Sequence, residues 1–128
     1  MGVPAHKLNP YDSGTVPELA VIGELRDAFA LTFHDIAQVL GARESTLHRW
    51  LSGTTAPSPV YLRRLQLVEE FQQELRDTFP HASAQELRDW LRKRIPPLGN
   101  RRPLDLLLDG RVEQLIGMLY GFKVGMPL

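Results

Sequence analysis

The sequence predicts an all-α fold, and three observations carry that expectation. From Glu18 onward no segment sustains an alternation of apolar and polar residues. Apolar residues recur instead at helical spacing as far as Tyr120. Capping residues, prolines and glycines break the chain where those periodic stretches end. At 128 residues and 43% apolar content, the chain suits one domain or a small module with an appendage, around one core.

Residues 1–17 hold Gly2, Pro4, Pro10, Gly14 and Pro17 without a helical or strand period, and read as a flexible arm. Leu19, Ile22, Leu25, Ala28 and Phe29 then share one face of a first helix. A short second helix is framed by Thr32 as N-cap, Asp35 three residues on and Gly41 past its end. A third covers about Arg43 to Leu51 and stops at Ser52-Gly53. Pro57 and Pro59 mark a loop, after which Leu62, Leu65, Leu67, Val68, Phe71 and Leu75 give a long helix, from about Val60 to Phe79, its apolar face. Pro80 closes that helix, so residues 18–80 form the first unit.

The second unit, residues 81–120, opens with Ser83 and Glu86 at capping-box spacing ahead of Leu87, Trp90 and Leu91. Pro96-Pro97 ends that helix, and Pro103 starts another through Leu104, Leu106, Leu107 and Leu108. These leucines read as core or dimer seam, and Trp90 as core. Asp109-Gly110 interrupts before a last amphipathic helix with Val112, Leu115, Ile116, Leu119 and Tyr120. Residues 121–128, punctuated by Gly121 and Gly125, are expected to be an extended tail.

Composition removes several function classes. The absence of cysteine excludes disulfides, Cys-ligated zinc and a thiol nucleophile. There is no glycine-rich phosphate loop and no Ser-His-Asp set in a recognisable context, so no enzyme and no cofactor are expected. His34 and His48 stand on different helices without ligand spacing, which argues against a metal site. No signal peptide or apolar span is visible, so a cytoplasmic protein with no membrane association is expected. Fifteen basic residues balance 15 acidic ones, but unevenly. Residues 1–42 are acidic, whereas Arg43, Arg49, Arg63 and Arg64 oppose Glu44 alone, and Arg88, Arg92, Lys93, Arg94, Arg101 and Arg102 oppose Asp89.

The segment Phe33–Ser52 has helix-turn-helix spacing. Ala37 is the small residue where two helices touch, Gly41 follows in the turn, and Ile36, Leu40, Leu47 and Trp50 line the buried sides. Outward on the second helix stand Arg43, Glu44, Ser45, Thr46, His48, Arg49 and Ser52, side chains suited to base edges or phosphates. Arg63 and Arg64 can add backbone contacts. A capped hairpin with a solvated face satisfies the same spacing. So few phosphate contacts bind DNA weakly from a monomer, so a homodimer is expected.

Leu47-His48-Arg49-Trp50-Leu51-Ser52-Gly53, a proline loop and a long helix resemble an Xre-type regulator. Trp90-Leu91, Pro97-Leu98-Gly99, Arg102-Pro103-Leu104-Asp105-Leu106-Leu107 and Asp109-Gly110-Arg111 are similar to the toxin-binding domain of the Xre/MbcA/ParS antitoxin family. The resemblance runs from about Leu19 to Tyr120 and departs at Asn100, where members commonly have a second glycine. It implies an antitoxin that binds and occludes a RES-domain toxin, an enzyme that degrades NAD, and that binds its own promoter. In that setting Phe122, Lys123, Val124, Met126 and the Leu128 carboxylate offer a surface able to order on a partner, or a frayed end; Arg101, Arg102 and Arg111 can pair with acidic groups on the toxin. A stand-alone repressor whose C-terminal half dimerises is the alternative.

Overall fold

The computed structural model describes residues 16–125, which form seven α-helices and no sheet. In chain order these are α1 (Ala20–Asp27), α2 (Phe33–Leu40), α3 (Glu44–Leu51), α4 (Pro59–Thr78), α5 (Ala84–Leu91), α6 (Pro103–Leu108) and α7 (Val112–Lys123). The fold class is therefore all-α, as the periodicity implies. Short 3-10 turns at Pro17–Leu19 and Pro96–Leu98 precede α1 and α6.

The first helix is shorter than its apolar face suggests. Leu19 lies in the preceding 3-10 turn and Phe29 beyond the end of α1, yet both are buried. Ala30 takes a left-handed conformation (φ 59°) and turns the chain toward α2. Buried residues from both sides of Pro80 join one apolar cluster. Leu65, Val68, Phe71 and Leu75 supply the α4 side, Val112, Leu115 and Leu119 the α7 side, and α7 packs along α4. Trp50 packs against Tyr61 at 5.1 Å between ring centres, and Trp90 against Phe79 at 5.7 Å.

Arginines on α5 and at its C-terminal cap join the two parts of the chain. Arg88 Nη1 donates to the Ala28 carbonyl at 3.0 Å, and Arg92 Nη2 to the Phe29 and Ala30 carbonyls at 3.1 and 3.2 Å. These are carbonyls at the end of α1, where the helix offers no amide to meet them. Arg88 and Arg92 are thus committed to the fold rather than standing as a solvated basic face.

The chain end departs from the expected extended tail. Gly121, Phe122 and Lys123 complete the last turn of α7, and the helix is capped at Val124. Two contacts offset the poor helix propensity of glycine there. Phe122 lies 6.2 Å from Phe79, ring centre to ring centre, and Lys123 Nζ sits 2.6 Å from Glu74 Oε2.

The turn between α2 and α3 gives the first test. Gly41 caps α2 at φ 71°, and a Cβ built there stands 2.8 Å from Arg64 Nη1. That nitrogen is itself held by the Leu40 carbonyl at 2.9 Å. Gly41→Ala therefore incurs the left-handed penalty and displaces Arg64, for a loss of about 1–2 kcal/mol. The shift in urea unfolding midpoint measures it.

Candidate nucleic-acid and partner interfaces

The helix-turn-helix forms as its residues dictate. The Thr32 hydroxyl accepts from Asp35 N at 3.0 Å and the Asp35 carboxylate accepts from Thr32 N at 3.2 Å, so α2 begins in a full capping box. Its far end is closed by the Ala42 amide on the Ala37 carbonyl at 2.9 Å, by Arg64 on Leu40, and by the Tyr61 hydroxyl on the Gly41 carbonyl at 3.3 Å. Ala37, Leu47, Trp50 and Leu51 are buried, which fixes α3 against α2 and α4 and leaves its other face outward.

On that face Arg43, Glu44, Ser45, His48, Arg49 and Ser52 are exposed and Thr46 is half-buried. They differ in freedom. Glu44 Oε2 lies 3.3 Å from His34 Nδ1, and the His48 ring lies 4.9 Å from that of Phe33. Arg49 Nη2 donates to Thr46 Oγ1 at 3.4 Å, a long bond. The Ser52 hydroxyl donates to the Arg49 carbonyl at 3.2 Å and lies 2.8 Å from Thr54 Oγ1. Arg43 stands at the N-terminus of α3, where backbone amides and the helix dipole also favour an anion. Arg63 is exposed on α4, whereas Arg64 is anchored on α2 and lies over the Tyr61 ring.

The second set of sequence candidates separates similarly. Arg102 is bound to Asp105 through its backbone amide at 3.0 Å and through its guanidinium at 2.6 Å. Arg101 Nη1 lies 3.4 Å from Asp109. These two arginines shape the loop into α6. Gly99 (φ 72°) and Asn100 (φ 60°) take consecutive left-handed conformations beside them. Asparagine tolerates that region better than other side chains with a Cβ, so Asn100 suits the second left-handed position. Arg111 is exposed at the N-terminus of α7, and Val124 is 52% exposed beyond its end. Phe122 is partly covered by Phe79 and Lys123 is paired with Glu74. Met126 and Leu128 lie outside the described residues.

Sequence reasoning passed over the outer face of α4 and α7. Leu67, Glu70 and Glu74 form a stripe on α4, and Glu113, Ile116 and Tyr120 face it from α7. The helical spacing of Glu70 and Glu74 was the available signal. Among the described residues no group of three His, Asp or Glu side chains is arranged to hold a metal, and no helix is long and apolar enough to cross a membrane.

No family model matches this chain, and no curated protein matches it. Among solved structures it is similar to a chain of the crystal structure of the M. tuberculosis MbcT–MbcA toxin–antitoxin complex. The two superpose with a TM-score of 0.64 at 17% identity, covering 89% of this chain and 100% of that one. At that identity the likeness is one of fold.

The Arg102–Asp105 pair sets a pH dependence. The Arg102 side chain, then its backbone amide and its charge, lower the Asp105 carboxyl from 3.8 to about 2. A depressed carboxylate stabilises the fold above its unfolded value and loses that contribution as pH falls toward 2. Asp105→Asn should therefore lower the urea midpoint at pH 7, with the gap from the parent chain closing between pH 4 and pH 2. A gap that persists at pH 2 would contradict the assignment.

Proposed function

We propose that this chain is the antitoxin of a toxin–antitoxin pair, binding a RES-domain, NAD-degrading toxin and its own operator DNA. The likeness in fold to a chain of a toxin–antitoxin complex carries this reading, and the helix-turn-helix geometry supports its DNA half. The eight residues of α3 span roughly 12 Å, about the width of a major groove. Arg43 at its N-terminus meets a phosphate, while Ser45 and Arg49, one turn apart, reach base edges. Glu44, held by His34, accepts from a cytosine amino group and disfavours other bases. Thr46, His48 and Ser52 complete the recognition face, and Arg63 with the remaining donors of Arg64 adds backbone contacts.

Few cations serve this face, so a homodimer presents two copies of α3 to half-sites about 34 Å apart. Neutralisation falls to the second half of the chain. Arg111 and the exposed Val124 contact the toxin directly, with Phe122 and Met126 extending that apolar contact. Arg101, Arg102 and Lys123 stand at its edge as partly compensated charges. The chain acts by occupying a cleft, with no catalytic group or cofactor of its own.

The test is to purify the chain with the product of the neighbouring gene and to follow NAD loss and operator binding together. The double variant Arg43→Ala, Arg49→Ala should lose operator binding at least 100-fold and neutralise as before. Turnover undiminished by saturating parent chain, with promoter binding intact, would instead identify a stand-alone repressor. Because residues 121–123 complete α7, the informative truncation starts at Val124. Its removal should weaken inhibition while leaving operator affinity unchanged and, through loss of the α7 cap, lowering the melting temperature only slightly.

A further inference from the structure

The outer faces of α4 and α7 enclose an open groove of about 440 Å³ to which α3 contributes nothing. Its floor is apolar: Leu67 and Ile116 are half-buried, Gly117 has no side chain, and Tyr120 stands 57% exposed as one wall. Its rim is acidic. Glu70 and Glu113 are exposed, and among the described residues neither has an ion-pair partner. Arg63 is the opposing cation in the lining, and Glu69 extends the carboxylate field along α4.

We propose that this groove is a docking surface for a segment of the partner toxin that presents a lysine or arginine beside an apolar side chain. The inference rests on the toxin–antitoxin reading and adds to it the chemistry of one contact. An ammonium from the chain itself already marks one end of the groove. Lys123 Nζ lies 2.6 Å from Glu74 Oε2 and 5.9 Å from the Tyr120 ring centre, between a carboxylate and an aromatic face. Glu70 and Glu113 offer further carboxylates along the rim, with which no cation of the described residues forms an ion pair. Glu70, Glu113 and the neighbouring Glu69 outweigh the single Arg63, so the net charge of the groove repels phosphates and nucleic acid is not its occupant. A two-fold contact between copies of this chain would bring two acidic rims together with one Arg63 on each side to offset them, and a net like-charge contact is costly. A basic and apolar protein segment meets the floor and the rim together.

The experiment measures affinity for the purified product of the neighbouring gene, using the full chain and the variant Glu70→Lys, Glu113→Lys. Melting temperature and operator binding serve as controls, and Glu70→Gln, Glu113→Gln is the milder pair should the reversal unfold. Toxin affinity should fall at least 10-fold in the reversal and less in the glutamine pair, with the melting temperature unchanged and operator binding not weakened in either. Unchanged toxin affinity in both variants, with the parent chain binding, overturns the groove and leaves the antitoxin reading standing. A change of oligomeric state by light scattering, without a change in toxin affinity, assigns the groove to a second copy and also overturns it. A parent chain that does not bind the product overturns both readings.

Discussion

Short helices end in carbonyls that they cannot satisfy themselves, and in this chain arginines from distant segments satisfy them. Helices α1 and α2 have eight residues each, a length at which an isolated helix is unstable in water. The end of α1 is met by Arg88 on α5 and by Arg92 just past it, and the end of α2 by Arg64 from α4. A guanidinium brings hydrogen-bond donors and a positive charge to the negative end of a helix dipole. The position of α3 depends on this, because α3 is held by the turn that Arg64 and Tyr61 close and by the hydrophobic face of α2 behind it.

The balanced charge of the chain therefore conceals three kinds of ion. Some arginines brace the backbone. Others are paired at the loop into α6. A remainder, Arg43 and Arg49 foremost, faces outward at α3. The carboxylates divide in the same way, with Asp35 and Glu86 serving as caps while Glu70 and Glu113 stand at the rim of a groove. A chain with zero net charge thus offers one face suited to polyanions and another suited to cations.

The helices, their caps and the helix-turn-helix were legible because each depends on residues within a turn or two of one another. Thr32 with Asp35 and Ser83 with Glu86 form the capping boxes that their spacing implies. The roles of Arg88 and Arg92 were not legible. Their acceptors are backbone carbonyls about 60 positions away, and no side-chain pattern marks a carbonyl. Gly121 misled in the other direction, reading as a break where tertiary contacts at Phe122 and Lys123 carry α7 onward. For the groove, the carboxylates were visible as charges, but their facing across two helices emerges only when α7 packs on α4.

The chain contains two tryptophans, and the fold sets one in each half. Trp50 is buried beside Tyr61 behind α3, while Trp90 is half-buried against Phe79 at the junction of α4 and α5. Each indole is thus a native optical reporter of its own surroundings, blue-shifted when dry and red-shifted when wet. Single replacements by phenylalanine isolate the two signals without any added dye. Whether the halves melt together or apart, and which of them senses DNA or protein, becomes a question that fluorescence can resolve.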